Sequence, residues 1–339
     1  MSKQYFFNTS LKFCILGSGS WATALMKLLS NRQNSNIYWY IRSEETIAHI
    51  RQYGNNPKYL SSIRFDTSRF EMTSDVNRAL ELSNVVIVAI PAVFVSETLE
   101  KVHVDMSHKF IVSAVKGIVP EVNKSVSEYF NAKYSIPYSQ LGVISGPCHA
   151  EEVALERLSY LTFSCKRKNL AEFISRNIES PFLRIISSTD IYGSEYAAIL
   201  KNIYAIGAGI CHGLGYGDNY ISVFVSNSFE EMRRFLNDTN LSPRQTTRSA
   251  YLGDLLVTCY SQFSRNRALG TMIGKGYSVL SATMEMSMVA EGYYASKCIH
   301  KINESKNVTM PIAETVYRIL YRNAPVHEEI KKLSNEVLL

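Results

Sequence analysis

Four groups of residues in this chain have the types and spacing that chemistry needs. Gly17-Ser18-Gly19-Ser20-Trp21-Ala22 is a G-x-G-x-x-A run at the junction of an expected strand, Lys12–Leu16, and an expected helix. Gly17 permits the tight turn, and Gly19 lets a pyrophosphate approach the backbone. The helix start then offers free N–H groups to phosphate oxygens. Lys201 is the only Lys, Arg, Asp or Glu between Tyr196 and Gly217. Its helical neighbours are Ala197, Ala198, Ala205 and Ala208, a small-residue face that lets a surface or a ligand come close. Partial desolvation there disfavours the ammonium and brings the amine toward proton transfer. Lys116 closes Ser113-Ala114-Val115-Lys116. It stands beyond the carboxyl end of a strand, where open parallel sheets bind ligands. Ser264-Arg265-Asn266-Arg267 places two guanidinium forks around an amide, donors suited to a phosphate.

The elements that must position these groups come in two kinds. Up to about residue 188, β-branched runs alternate with helical patterns. The expected strands are Lys12–Leu16, Asn36–Tyr40, Val85–Ile90, Phe110–Ala114, Leu141–Ser145, Tyr160–Ser164 and Leu183–Ser187. Amphipathic stretches Trp21–Ser30, Phe94–Val102 and Val122–Phe130 lie between several of them. Strands separated by helices predict right-handed crossovers and a largely parallel sheet covered on both faces. Beyond that point helical periodicity dominates: Ile191–Cys211, Ile221–Leu236, Arg248–Cys259, Ala282–Met284 leading on to Glu291–Asn303, and Ile312–Tyr321. Thr189 or Asp190 can cap the first of these. Asn237–Thr247 is the most loop-like part of the second half. The fold class is therefore α/β: residues 1–188 form a mostly parallel sheet domain and residues 189–339 an all-helical one.

Composition narrows the function. A length of 339 residues, at about 150 per domain, also predicts two domains. With 46% hydrophobic and 19% charged residues the chain is an ordinary folded one, which excludes intrinsic disorder. The net charge of +6, without a long basic run, suits an anionic small substrate and not a nucleic acid. Cys14, Cys148, Cys165, Cys211, Cys259 and Cys298 form no C-x-x-C pair and have no histidine at ligand spacing. They read as reduced, mostly buried thiols, so neither a disulfide frame nor a metal site is expected. The most apolar run, Val85–Val95, is interrupted by Pro91, which argues against a membrane span. No secretory leader is visible, and a soluble cytoplasmic protein is expected.

Two loops qualify the picture. The second strand ends in Tyr38-Trp39-Tyr40-Ile41-Arg42, with no acid where one would grip the adenosine ribose, and Glu44 and Glu45 come late. Arg42 is then either a solvated loop arginine or the partner of a ribose 2′-phosphate. Ser145-Gly146-Pro147-Cys148-His149-Ala150-Glu151-Glu152 is another strand end entering a helix at the same sheet edge.

Taken in order, the motifs resemble the bacterial, biosynthetic NAD(P)-dependent glycerol-3-phosphate dehydrogenase family over nearly the whole chain. They are Gly17–Ala24, Asn56-Pro57-Lys58-Tyr59-Leu60, Lys116-Gly117-Ile118, Gly146-Pro147 through Ala150-Glu151-Glu152, and Leu200-Lys201-Asn202. Gly213-Leu214-Gly215, Gly217-Asp218-Asn219, Leu252-Gly253-Asp254-Leu255, Ser264–Arg267 and Val289–Gly292 continue the series. The glycine loop alone is unspecific; the ordered set is specific. The resemblance implies a Rossmann-like sheet domain, NAD or NADP as cofactor, and reduction of dihydroxyacetone phosphate to sn-glycerol 3-phosphate for phospholipid synthesis. It also implies that Lys201 is the proton donor and acceptor. Gly17, Gly19, Ser20, Trp21, Arg42, Lys116, Ala150, Arg265, Val289 and Glu291 would hold the cofactor. Lys116, Gly146, Cys148, Lys201, Asp254, Ser264, Arg265 and Asn266 would surround substrate, with Asp254 and Asn202 fixing hydroxyl and amine. The expected partner is a small phosphorylated molecule, with no nucleic acid, and the assembly a homodimer.

The chain departs from the family pattern at three places. Cys148-His149 stands where Ser-Phe is usual, Ser226-Asn227-Ser228 where Thr-Arg-Gly is common, and Tyr251 replaces a glycine. A thiol is a poorer donor than a hydroxyl, so a contact at Cys148 is weakened. Two competing readings are a related reductase acting on a 3-hydroxyacid or a ketopantoate-like acid, and a nucleotide-binding regulator without turnover. The Ser264–Arg267 clamp favours a phosphate, and Lys201 favours an enzyme.

Overall fold

The structure is a computed structural model that describes residues 11–31 and 36–336. The expectation about a leader falls on the first ten residues and lies outside it. The described strands are Lys12–Leu16 (β1), Asn36–Tyr40 (β2), Glu71–Thr73 (β3), Val85–Val88 (β4), Phe110–Ser113 (β5), Leu141–Ser145 (β6), Ser159–Cys165 (β7) and Leu183–Ser188 (β8). They make one sheet in the order β3-β2-β1-β4-β5-β6-β7-β8, parallel except where β7 runs antiparallel to β6. The connection there carries only the five-residue helix Ala150–Ala154, so the chain returns without a full crossover. The order 3-2-1-4-5-6 is that of a dinucleotide-binding sheet, whose crevice lies between β1 and β4.

The helices of this half are Ser20–Ser30 (α1), Glu44–Tyr53 (α2), Val76–Glu81 (α3), Val95–Glu100 (α4), Val126–Tyr134 (α5), Ala150–Ala154 (α6) and Lys168–Ile178 (α7). Side chains alternate across the strands. Phe13 and Ile15 of β1 join a core on one face, and Cys14 and Leu16 join the core on the other. The helix expected from Val122 starts at Val126, because Ser125 and Glu128 form a reciprocal capping box there.

The second half is helical: Ile191–Gly213 (α8), Asp218–Thr239 (α9), Asp254–Tyr260 (α10), Arg265–Gly274 (α11), Val279–Glu285 (α12), Glu291–Lys306 (α13), Pro311–Tyr321 (α14) and Val326–Glu336 (α15). Asp190 caps α8 by accepting from the Gly193 N–H. Tyr251, one of the three departures, donates to the same carboxylate, and Arg244 pairs with it at 2.7 Å. α8 is buried along almost its whole length and forms the axis of the third core. Glycines let α11 lie directly on it. A Cβ on Gly270 would stand 2.0 Å from the Ile206 carbonyl oxygen, and one on Gly209 would stand 2.1 Å from that of Arg267. Ser264–Arg267 is thus the start of a helix and not a free loop, with Ser264 as its cap. No helix among the described residues is long and apolar enough to cross a membrane. All six cysteines are buried.

Candidate active site

The loops leaving β1, β4, β5 and β6 meet α8, α10, α11 and the start of α13 in one cleft. An outer chamber of about 580 Å³ runs over the glycine loop, Arg42, Tyr59 and the Met286–Ala290 segment. An inner chamber of about 190 Å³ reaches Lys116, Lys201, Asp254 and Asn266. Gly19, Ser20, Ala89–Pro91, Arg265 and Val289 line both.

The glycine loop is shaped for a ligand. Gly17 takes φ +119°, and a Cβ there would stand 2.7 Å from the Ala89 carbonyl oxygen. A Cβ on Gly19 would meet nothing within 4 Å, so its face is open to the cleft at the start of α1. Buried Asn56 braces the loop from behind, donating to the Ser18 carbonyl and to Thr23 Oγ1, both at 2.9 Å. Trp39 Nε1 donates to the Gly17 carbonyl at 2.7 Å. Three buried polar atoms on the inner wall, Trp21 Nε1, His149 Nε2 and Glu291 Oε2, have no partner. Such atoms are costly unless a ligand completes them. The open glycine face, the orphaned atoms and the chamber size together fit a dinucleotide. Arg42 lies at the outer rim, its guanidinium 5.9 Å from the Phe94 ring centre.

Glu291 ties the halves together. Its Oε1 accepts from the Ala92 N–H at 2.9 Å, and Oε2 fills the space a Cβ on Gly117 would need. Burial pushes its carboxyl up to about 7, against the Ala92 hydrogen bond and the charge of Arg265.

Three charges form the inner centre. Lys201, 3% exposed, pairs with Asp254 Oδ1, and Lys116 Nζ lies 3.6 Å from Oδ2. Lys116 also donates to the Gly146 carbonyl at 3.2 Å, and the Gly146 N–H reaches Asp254 at 3.3 Å. Burial lowers the Lys201 amine below the usual lysine range; Asp254 opposes this and the Lys116 charge reinforces it. The expectation that Asn202 would fix the amine is corrected: its amide donates to the Lys116 backbone carbonyl, and it is Asp254 that holds the Lys201 amine. Asp254 begins α10 directly after a π-helical turn, Ser249–Gly253, which re-aims the chain at that point. Asn266 Oδ1 accepts from the Gly292 N–H at 2.9 Å, and Arg265 sits on the first turn of α11.

All the expected site residues except Gly146 line one chamber or the other, and Gly146 is bonded to both Lys116 and Asp254. Missed from sequence were Tyr40, Tyr59, Tyr293 and Tyr294, aromatics around the outer chamber. Tyr40 and Tyr59 stand inside runs already quoted, and Tyr293 and Tyr294 directly follow Val289–Gly292, but nothing local marks any of them as a site residue. His149 and Phe263, on the inner wall, lie 6.0 Å apart between ring centres.

A dinucleotide sheet whose cleft is closed by a helix bearing a desolvated lysine is the build of a nicotinamide-dependent oxidoreductase. Residues 12–171 match the N-terminal model of NAD-dependent glycerol-3-phosphate dehydrogenase and residues 190–331 its C-terminal model. Glycerol-3-phosphate dehydrogenase [NAD(P)+] of Chlorobium phaeobacteroides is 34% identical over 327 residues, 96% of this chain and 98% of the relative. That of Staphylococcus carnosus is 32% identical over 324 residues, 95% and 97%. A crystal structure of glycerol-3-phosphate dehydrogenase from Coxiella burnetii superposes with TM-score 0.87 at 24% identity, covering 96% of this chain and 99% of that one. The chain belongs to the NAD-dependent glycerol-3-phosphate dehydrogenase family.

Proposed function

We propose that the protein reduces dihydroxyacetone phosphate to sn-glycerol 3-phosphate with NADH or NADPH, reversibly, and so supplies phospholipid synthesis. The observation that carries this is the inner centre: two lysines share one carboxylate, with the phosphate-suited start of α11 opening into the same chamber. When bound, the reduced nicotinamide supplies a hydride to the carbonyl carbon. Lys201 delivers the proton to the carbonyl oxygen, where negative charge develops. Asp254 holds the Lys201 amine in place. Lys116 adds positive charge beside that oxygen and is itself steadied by Gly146 and Asn202. Arg265 and Asn266, with the N–H groups opening α11, hold the substrate phosphate. Glu291 and Trp21 complete the wall against the cofactor, and Ser20, Ala150 and Val289 shape its bed.

The division of labour assigns residues 1–188 to cofactor binding and residues 189–339 to substrate and proton transfer. A cytoplasmic location and a homodimer belong to the same reading. Exposed Val223, Leu256 and Tyr260, on the adjoining α9 and α10, offer an apolar face for a second copy; sedimentation velocity tests it. For the reaction, the purified protein is mixed with NADH or NADPH and dihydroxyacetone phosphate, and absorbance at 340 nm is followed. Loss of absorbance that depends on the ketone is expected. Oxidation with ketopantoate but not with the triose phosphate would move the substrate to the competing reductase reading.

A further inference from the structure

His149 leaves the cleft one polar atom that the reaction as described does not use. The residue opens α6 at the end of β6, on the inner wall with Lys116, Lys201 and Asp254. Its Nε2 is buried and has no hydrogen-bond partner. Burial, with the charges of Lys116 and Lys201 added, pushes its imidazole down to about 4, against the pull of Asp254. At neutral pH the ring is therefore uncharged, which removes it as a rival acid to Lys201 but leaves it a hydrogen-bonding group.

Dihydroxyacetone phosphate has three ends to place. Its phosphate lies at the start of α11 and its carbonyl oxygen at Lys201, which leaves the hydroxymethyl group. The polar groups around Lys201 are engaged. Both oxygens of Asp254 face lysines, Thr258 Oγ1 donates to the Asp254 backbone, and Asn202 donates to Lys116. Burial pushes the Cys148 thiol up to about 12, so it stays a weak thiol donor. Trp21 Nε1 and Glu291 Oε2 are assigned to the cofactor wall. We propose that His149 is a specificity-determining residue whose Nε2 bonds the free hydroxyl of the triose phosphate. A hydroxyl both donates and accepts, so it satisfies Nε2 in either neutral tautomer. The inference rests on the reading of the site as a triose phosphate reductase.

The test is kcat/KM at saturating NADPH for dihydroxyacetone phosphate and for its deoxy analogue, in which a methyl group replaces the hydroxymethyl. It is measured in wild type, His149→Phe, His149→Leu and His149→Gln, each checked for wild-type Tm. Wild type should favour the hydroxylated ketone by about ten-fold, the scale of one neutral hydrogen bond in a closed site. Whichever apolar variant folds should lose that preference while keeping KM for NADPH, and His149→Gln should regain part of it. A folded apolar variant that keeps the wild-type preference overturns the proposal, as does an equal loss on both ketones. If wild type fails to turn over the triose phosphate at all, the parent reading fails instead, and the two failures are distinct.

Discussion

At Lys201 two effects oppose each other. Removing an ammonium from water costs several kcal/mol, and only a close, well-bonded counter-charge offsets it. Asp254 is that counter-charge, but it is shared with Lys116, so the charges of the centre do not cancel around the buried Lys201. That imbalance suits a substrate that arrives as an anion and an oxygen that becomes negative in the transition state. Lys201→Met keeps the stem and deletes the proton. Turnover should fall by at least about 10²-fold while NADPH still binds, as followed by fluorescence titration; near-normal turnover would place the proton elsewhere. At the rim, Arg42 pairs with no acid among the described residues and can face a 2′-phosphate. Arg42→Ala should raise KM for NADPH about ten-fold and leave KM for NADH nearly unchanged. Equal losses for the two cofactors would reduce Arg42 to a surface residue. Both residues were legible in the sequence because each breaks its local pattern: a lone charge among alanines, and an arginine where an acid belongs. Asn56 was legible only as part of a motif, since its work is to brace a loop far away in sequence.

Elements were legible where one local rule sufficed. β1, β2 and β6 have the bounds that their apolar runs predict. β3 escapes because it is three residues long with an exposed Glu71, and only its pairing to β2 makes it a strand. α11 escapes for the opposite reason: Gly270 and Gly274 lower its helix propensity, and tertiary contact with α8 supplies what propensity does not. Those glycines fix the distance between Lys201 on α8 and Arg265 on α11. Gly270→Ala gains up to about 1 kcal/mol of helix propensity. The Cβ, however, is driven into backbone of α8, and overpacking of this kind costs typically about 1–3 kcal/mol. The variant should unfold at lower temperature and show a raised KM for the phosphorylated ketone, because the start of α11 is displaced. An unchanged Tm with unchanged KM would mean that the two helices separate freely.

Across the whole molecule, two buried carboxylates act as clamps. Glu195 on α8 accepts from Ser125 Oγ at 2.6 Å and from the Ser127 N–H at 3.1 Å, joining the sheet half to the helical half. Glu231 on α9 accepts from the Ile312 and Ala313 N–H groups and so caps α14. Burial outweighs these hydrogen bonds and pushes each carboxyl up to about 7 from an ordinary 4.5. Between those values the folded chain holds protons that the unfolded chain has released. The stability these groups lend is thus complete below pH 4.5 and is lost as pH rises through about 7, on the order of 3 kcal/mol per group. His149 works the other way: held neutral down to about 4, it costs stability only as pH falls below 6.5. Between pH 6.5 and pH 8.5 the histidine hardly contributes. Glu291 acts in the same direction as the two clamps, and Lys201, whose amine is lowered, acts in the opposite one, so only a variant isolates a single carboxylate. Glu231→Gln, which keeps an acceptor oxygen for α14 but cannot ionise, should gain Tm relative to wild type on going from the lower to the higher pH. A variant whose Tm shifts by as much as that of wild type would show that Glu231 is not the group that titrates.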